Sequence, residues 1–481
     1  MPVSGTLRER LDAAGQGHLA AALEGLPAEG RERLRAEVEA LDLDLIARLV
    51  EGLVGDEAPA GLGRIEPLAD EDVIALPRDD ADRARGREAR EAGEALLAED
   101  RVAAVLLAGG QGTRLGFDGP KGAFPFAPVT GRTLFWHHAA KIGALRARYG
   151  AALPWYVLTS PQNDAVTRAF FDEHGHFGLP PDSVRFVVQG TLPAVDAASG
   201  EILREAPDRL ALSPDGHGGL LSALRASGAL AEMAAAGVDT IFTFQVDNPM
   251  LSVCRPELLG HHARAGAQMS SVAVRKVGPE EKMGVIVRLD GRTGVVEYSD
   301  LPDELARERD AEGELVYWAG SIAVHCIQVD FADRLTEGGL RLPYHRALKK
   351  VPFVGADGRP VEPEEPNAVK FETFLFDALP HADRAVTVEA RREDEFSPIK
   401  NAEGADSPAT ARRDLNRKSA RWLEDAGVAV PRDADGEPVD LEIDPRLALD
   451  AEELARRLPP GLVIEGPTLL EPGRRGASDA R

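Results

Sequence analysis

Two cations stand a few residues beyond a glycine-rich loop: Arg114 and Lys121 follow Gly109-Gly110-Gln111-Gly112. Glycines let a backbone approach a phosphate and turn bare N–H groups toward it. Cations just past them neutralise further phosphate charge. The spacing predicts a nucleotide or polyphosphate site, with Gly110, Gly112 and Thr113 supplying backbone contacts and Leu107 leading into the loop. Asp247 closes a second apolar run, 240–246. A lone carboxylate there suits Mg²⁺, which keeps water and substrate oxygens as ligands. The alternative is a helix N-cap ahead of Pro249. Gln189 ends a third run, and its amide both donates and accepts. Lys370 and Lys400 are isolated lysines in an arginine-rich chain, with flexible ammonium groups able to reach a phosphate.

The elements that must position these residues follow from patterning. Residues 102–108 are continuously apolar and bounded by glycine, as in a buried strand of a parallel sheet. Ligands bind at the carboxyl ends of such strands. Strand-like runs at 155–160, 184–189 and 240–246 alternate with helical stretches at 162–174, 219–228, 229–236 and 256–265. That alternation predicts an α/β, doubly wound, Rossmann-like core. Leucines before about residue 70 recur at helical spacing, giving a helical N-terminal appendage joined by a Pro/Gly/Ala linker at 57–63. Residues 78–100 read as one more helix. From 267 to 330 the texture is β-rich, with a hairpin turn at Asp290-Gly291. Residues 369–379 read as a helix, 385–390 as a strand, 393–401 as a loop and 462–464 as a final strand. The last dozen residues read as disordered. The expected organisation is a helical region over 1–95, a catalytic domain over 96–415 with a β-rich insertion at 267–330, and a small C-terminal region over 416–481.

Composition excludes several classes. The chain has 481 residues, 43% of them hydrophobic, and a net charge of −24 from 80 acids and 56 bases. The acidic balance argues against nucleic acid as a partner, and an anionic substrate must be held by a local cationic cluster. The two cysteines, Cys254 and Cys326, have no metal-binding or disulfide spacing. The start has no signal-peptide core and no apolar run spans a membrane, so a cytoplasmic, membrane-free location is expected. His325 and the pair His137-His138 read as core or surface residues rather than ligands. A dinucleotide-binding site is disfavoured because Leu115 stands at the third glycine position, and no GxxxxGK[ST] loop exists.

Eight stretches in order carry a family resemblance: LAGGQGTRLG (107–116), PKG (120–122), QGTLPA (189–194), SPDGHGG (213–219), QVDN (245–248), GVVEYSD (294–300), AVKFETFLFD (368–377) and REDEFSPIKNA (392–402). They span roughly residues 90 to 415. The chain resembles the eukaryotic-type UDP-sugar pyrophosphorylases (UDPGP type 1), and within them the UDP-N-acetylglucosamine pyrophosphorylases. The resemblance implies a nucleotidyltransferase core with a β-rich sugar-side insertion. It implies uridylyl transfer from UTP to N-acetylglucosamine 1-phosphate, releasing pyrophosphate, with Mg²⁺ or alternatively Mn²⁺. By the same resemblance Arg114, Lys121 and Lys400 are catalytic. Leu107, Gly109, Gly110, Gly112, Thr113, Gln189, Gly216 and His217 bind nucleotide. Gly284, Glu297, Tyr298, Ser321 and Lys370 hold the sugar phosphate, and Asp247 the metal. Two positions depart from the N-acetylhexosamine pattern: His217, where Asn is expected, and Ser321, which replaces a sugar-contacting Asn. They keep open a glucose 1-phosphate enzyme or a promiscuous one.

Overall fold

The computed structural model describes residues 5–54, 63–355 and 358–473. The linker expected at 57–63 lies outside them except for Gly63, as does the expected tail beyond residue 473. Contacts divide the chain into two compact units. One gathers three separated stretches, residues 1–63, 189–223 and 339–377; the other holds 64–188, 224–338 and 378–481.

In the first unit the expected N-terminal helices form as α1 (Gly5–Ala13), α2 (Gly17–Gly25), α3 (Ala28–Glu39) and α4 (Leu43–Leu53). The Asp42 side chain caps α4 by accepting from the Leu45 N–H at 2.9 Å, a cap worth about 1 kcal/mol. The helical leucines Leu11, Leu19, Leu23 and Leu34 are buried in one cluster with Val195, Val369 and Phe371. Buried Gln16 ties the α1–α2 turn to the later chain. Its amide donates to the Gly200 carbonyl at 3.0 Å and accepts from the Ile202 N–H at 2.8 Å.

The helix expected over 369–379 is instead a strand, Ala368–Thr373, followed by a 3₁₀ segment, Leu375–His381. Val369, Phe371 and Thr373 are buried while Lys370 and Glu372 are half-buried. Burial with period two selects a strand. The strand pairs antiparallel with Tyr344–Lys349 and with Val195–Asp196.

The second unit is built on one large sheet. Its main strands are β1 (Val73–Ile74), β2 (Val102–Leu107), β3 (Trp155–Thr159), β4 (Val184–Val188), β5 (Thr240–Gln245), β6 (Met269–Arg275), β7 (Val285–Leu289), β8 (Arg292–Val296), β9 (Ala319–Gln328) and β10 (Ala385–Glu389). The order is β1-β10-β6-β9-β5-β2-β3-β4, parallel throughout except for β9, which runs antiparallel to both β5 and β6. The doubly wound reading therefore holds for the β5-β2-β3-β4 half. The 267–330 region is not a separate insertion: β6 and β9 complete the main sheet, and only the β7–β8 hairpin hangs from β9. Its turn is at Asp290-Gly291, with φ of 49° and 80°. Positive φ at both central residues matches the twist of a tight hairpin.

Helices α5 (Asp80–Ala98), α6 (Leu134–Tyr149), α7 (Pro256–Ala265) and α8 (Pro408–Asp425) pack in the same unit. α5 and α7 meet through glycines. A Cβ on Gly93 would lie 1.9 Å from the Pro256 carbonyl oxygen, and one on Gly260 would lie 1.6 Å from that of Ala89. After α8 a small apolar cluster forms around the parallel pair Leu441–Ile443 and Thr468–Leu470. The strand expected at 462–464 does not form. Ile464 is buried as a plug in that cluster, and the Asp444 N–H finds its acceptor at Leu470 instead.

Candidate active site

In the sheet unit, pairing runs level from Thr240–Val102 to Gln245–Leu107, and Leu107 pairs with Leu158. The carboxyl ends of β2, β3 and β5 therefore share one edge, where the glycine loop and Asp247 emerge. Leu107 is buried as the last residue of β2. The loop then folds back on residues 119–121. The Gly112 N–H donates to the Gly119 carbonyl at 2.9 Å and the Lys121 N–H to that of Gly110 at 3.1 Å. Gly112 has no room for a side chain, because a Cβ would sit 2.9 Å from the Phe117 carbonyl oxygen. Gly109 is half-buried, while Gly110, Thr113 and Arg114 are exposed and free to meet a ligand.

Buried Asn163 braces this loop, donating to the Ala108 carbonyl at 2.9 Å and accepting from the Ser160 N–H at 2.8 Å. It was not singled out from the sequence. Its signal is an Asn just past the carboxyl end of the neighbouring strand.

Lys121 Nζ lies 3.0 Å from Asp247 Oδ2, each side chain 16% exposed. No helix starts at Asp247, so the N-cap reading of this residue falls away. The adjoining Asn248 is buried and pins residues 395–397: it donates to the Glu395 carbonyl at 2.8 Å and accepts from the Ser397 N–H at 3.3 Å. The Ile399 N–H donates to the Asp247 carbonyl at 2.8 Å, which brings the Lys400 loop to the same edge. Lys400 Nζ is 3.9 Å from Asp406 and lies over the Phe396 ring. His138 and His325 are core residues, bonded to the Val246 carbonyl and to Ser271.

A second group gathers at the start of β9. The Ser321 N–H donates to the Gly284 carbonyl at 2.8 Å, and a Cβ on Gly284 would lie 3.4 Å from Glu297 Oε1. Gly284, Glu297 and Ser321 thus form one patch, with Tyr298 beyond the end of β8, 47% exposed. Because β9 runs against its neighbours, its beginning, not its end, reaches the carboxyl edge of β6. The β6–β9 register shifts between Ser271 and Ala273, and Ala323 opposite has φ 55°. Bulges of this kind re-aim nearby side chains. Nothing in the local sequence marks this one.

The remaining expected residues belong to the first unit. Gln189 is buried, and its Nε2 donates to the Gly216 carbonyl. Gly216 has φ +85°, and a Cβ there would meet the Thr373 carbonyl oxygen at 2.3 Å. His217 Nδ1 accepts from the Leu375 N–H at 3.0 Å, and its ring stacks on Phe374. Burial, helped by His345, pulls His217 down to about 4, so the ring is neutral. Lys370 is half-buried on its strand. Asp215 was missed from the sequence. Burial pushes its carboxyl up to about 6 against the Gln189 amide, and Oδ1 has no hydrogen-bond partner among the described residues.

Known proteins are similar to this chain over most of its length. The model of the UTP–glucose-1-phosphate uridylyltransferase family matches residues 62–430. The human UDP-N-acetylhexosamine pyrophosphorylase-like protein 1 is 37% identical over 437 residues, 88% of this chain and 86% of that protein. The UDP-N-acetylglucosamine pyrophosphorylase of Saccharomyces cerevisiae is 35% identical over 369 residues, 75% of this chain and 76% of that one. The crystal structure of the uridine diphosphate N-acetylglucosamine pyrophosphorylase from Trypanosoma brucei superposes with a TM-score of 0.77 at 29% identity, covering 94% of both chains.

Proposed function

The chain belongs to the UTP–glucose-1-phosphate uridylyltransferase family, and from that premise we propose that it transfers uridylyl from UTP to N-acetylglucosamine 1-phosphate. A sugar-phosphate oxygen attacks the α-phosphorus, the bond to the β-phosphate oxygen breaks, and pyrophosphate leaves. Such transfers need positioning and charge absorption more than covalent help from the protein. The observation that carries the reading is the Lys121–Asp247 pair at the mouth of the glycine loop, with the Lys400 loop bonded to Asp247.

Arg114 and Lys121 neutralise the departing pyrophosphate. Lys400 holds the α-phosphate and the incoming sugar phosphate, and Lys370 adds charge to the latter. The Gln189 amide reads the uracil edge, Gly216 leaves room beside it, and Glu297 accepts from sugar hydroxyls. Asp247 is the residue that would hold Mg²⁺, or alternatively Mn²⁺. Among the described residues no cluster of three or more His, Cys, Asp or Glu competes for a metal. A lone carboxylate fits an ion that fills its shell with water and phosphate oxygens, and such an ion screens phosphate charge when bound.

The choice of the N-acetylated sugar rests on the named relatives. His217, one of the two departures, has its Nδ1 engaged by the Leu375 amide, so it supports the backbone and does not argue for glucose. Among the described residues no helix is long and apolar enough to cross a membrane. A pyrophosphate-release assay over a panel of sugar 1-phosphates, with and without Mg²⁺, tests the reading. N-acetylglucosamine 1-phosphate is expected to give the highest kcat/KM. Glucose 1-phosphate outrunning it would overturn the assignment.

A further inference from the structure

A cavity of about 950 Å³ in the sheet unit contains none of the residues assigned above to the chemistry. It lies among α5, α6, α7, α8 and the segment 249–253. Its lining is unusual for so acidic a chain, because basic side chains outnumber acidic ones.

At its inner end Lys141 and Lys418 are both buried, each 8% exposed. Neither is hydrogen-bonded to a carboxylate. Lys141 Nζ donates to the Pro249 and Leu251 carbonyls, both at 2.6 Å, and Lys418 Nζ to those of Met250 at 3.0 Å and Asp394 at 2.6 Å. In the charged form, which a bound anion favours, each lysine has three N–H groups and so keeps one to spare. Arg255 Nε is buried and has no partner among the described residues.

Two carboxylates face these cations: Glu395, which Arg255 Nη1 reaches at 3.4 Å and the Ser252 N–H at 2.8 Å, and Asp394, which Arg421 holds at 2.6 Å. Other acids of the lining are held by arginines: Glu389 by Arg275, Asp450 by Arg90 and Arg148. Burial and the mutual repulsion of the two lysines pull Lys141 well below the ordinary ammonium range. A buried cationic excess of this kind is costly unless an anion completes it. The walls beside it are apolar and include Trp422 and Leu145.

We propose that this cavity is a second ligand site, taking a phosphate monoester on an apolar or aromatic body. The two spare lysine N–H groups and Arg255 Nε meet the three terminal phosphate oxygens. The same lysines hold the carbonyls of residues 249–251 and 394, next to Asp247 and the Lys400 loop. An anion drawing on those lysines therefore alters turnover. That coupling rests on the uridylyl-transfer reading, while binding itself does not.

The test is calorimetric titration of the full-length chain with phenyl phosphate, chosen because it carries the group and a ring. Wild type and Lys121→Ala are expected to bind alike, with a dissociation constant below about 1 mM. Lys418→Met and Arg255→Gln are expected to weaken binding about tenfold or more. No heat in wild type overturns the proposal. So does binding lost in Lys121→Ala and kept in Lys418→Met, which would place the anion at the glycine loop. Should Lys418→Met not fold, a tungstate soak of wild-type crystals decides. An anomalous peak between Lys141 and Lys418 supports the site, and a peak only at residues 109–121 refutes it. A turnover assay with added phenyl phosphate then reads the coupling, with a change of about twofold or more expected only in variants that bind.

Discussion

Charge placement at individual residues decides the chemistry. Lys400 stands in a loop fixed to the Asp247 carbonyl, yet its side chain is 42% exposed and so available to a ligand. Lys400→Ala should lower turnover by about 10²–10³-fold, the usual cost of removing one stabilising donor, while UTP binding by calorimetry stays measurable. Unchanged turnover would remove Lys400 from the mechanism. Asp215 makes a different prediction. Its carboxyl is raised by burial to about 6, so the folded state holds the proton more tightly than the unfolded chain does. Stability then falls as pH rises from about 4 to 6 and stays lower above that. Asp215→Asn should therefore stabilise the protein at pH 8, by on the order of 2 kcal/mol, and have no effect near pH 4. Urea unfolding at both pH values checks this, and a gain equal at both would show that titration is not the cause. The glycine loop and its cations were legible because glycine and lysine carry their reasons locally. Asp215 and Asn163 were not, because their roles depend on what burial brings beside them.

Among the elements, helix crossings and strand pairings show where local patterning suffices. α5 was legible from its charge and alanine content, but its partner was not. The crossing with α7 depends on Gly93 and Gly260, each facing a carbonyl of the other helix. Gly93→Ala or Gly260→Ala should cost about 3 kcal/mol by forcing the helices apart. Gly86→Ala, on the same α5 with nothing within 4 Å of its Cβ, should be neutral or stabilise by about 0.5–1 kcal/mol. Chemical denaturation of the three variants separates close packing from helix propensity, and equal effects at Gly86 and Gly93 would refute the crossing. The strand Ala368–Thr373 was misread as a helix because Lys, Glu and Leu in VKFETFLFD favour one. Its period-two burial is set by Tyr344–Lys349 and Val195–Asp196, which lie elsewhere in the chain. The place of β9 between β5 and β6 was hidden for the same reason, since strand order is a long-range property.

Taken as a whole, the molecule is stitched by contacts between distant parts of the sequence. Buried Asp444 anchors the C-terminal cluster, accepting from Arg132 at 3.1 Å and Arg446 at 2.6 Å, and both guanidinium groups lie over Trp136. Asp444→Ala removes the carboxylate that joins the two arginines, while Arg132 keeps Glu471 at 3.3 Å, and should cost about 2–3 kcal/mol by thermal or urea unfolding. A loss under about 1 kcal/mol would mean the cluster docks by its apolar face alone. The first unit is stitched more widely, because α1–α4 share one apolar cluster with Phe371. On the ribosome those helices wait for a strand made more than 300 residues later. At ordinary elongation rates the delay is on the order of tens of seconds. Throughout it the leucine faces of the N-terminal segment have only Leu192, Val195, Ile202 and Leu210 to cover them and lack Val369 and Phe371, and they are a natural target for a chaperone. A nascent chain arrested before residue 368 should be cut by protease within α1–α4, while the released full-length chain resists there.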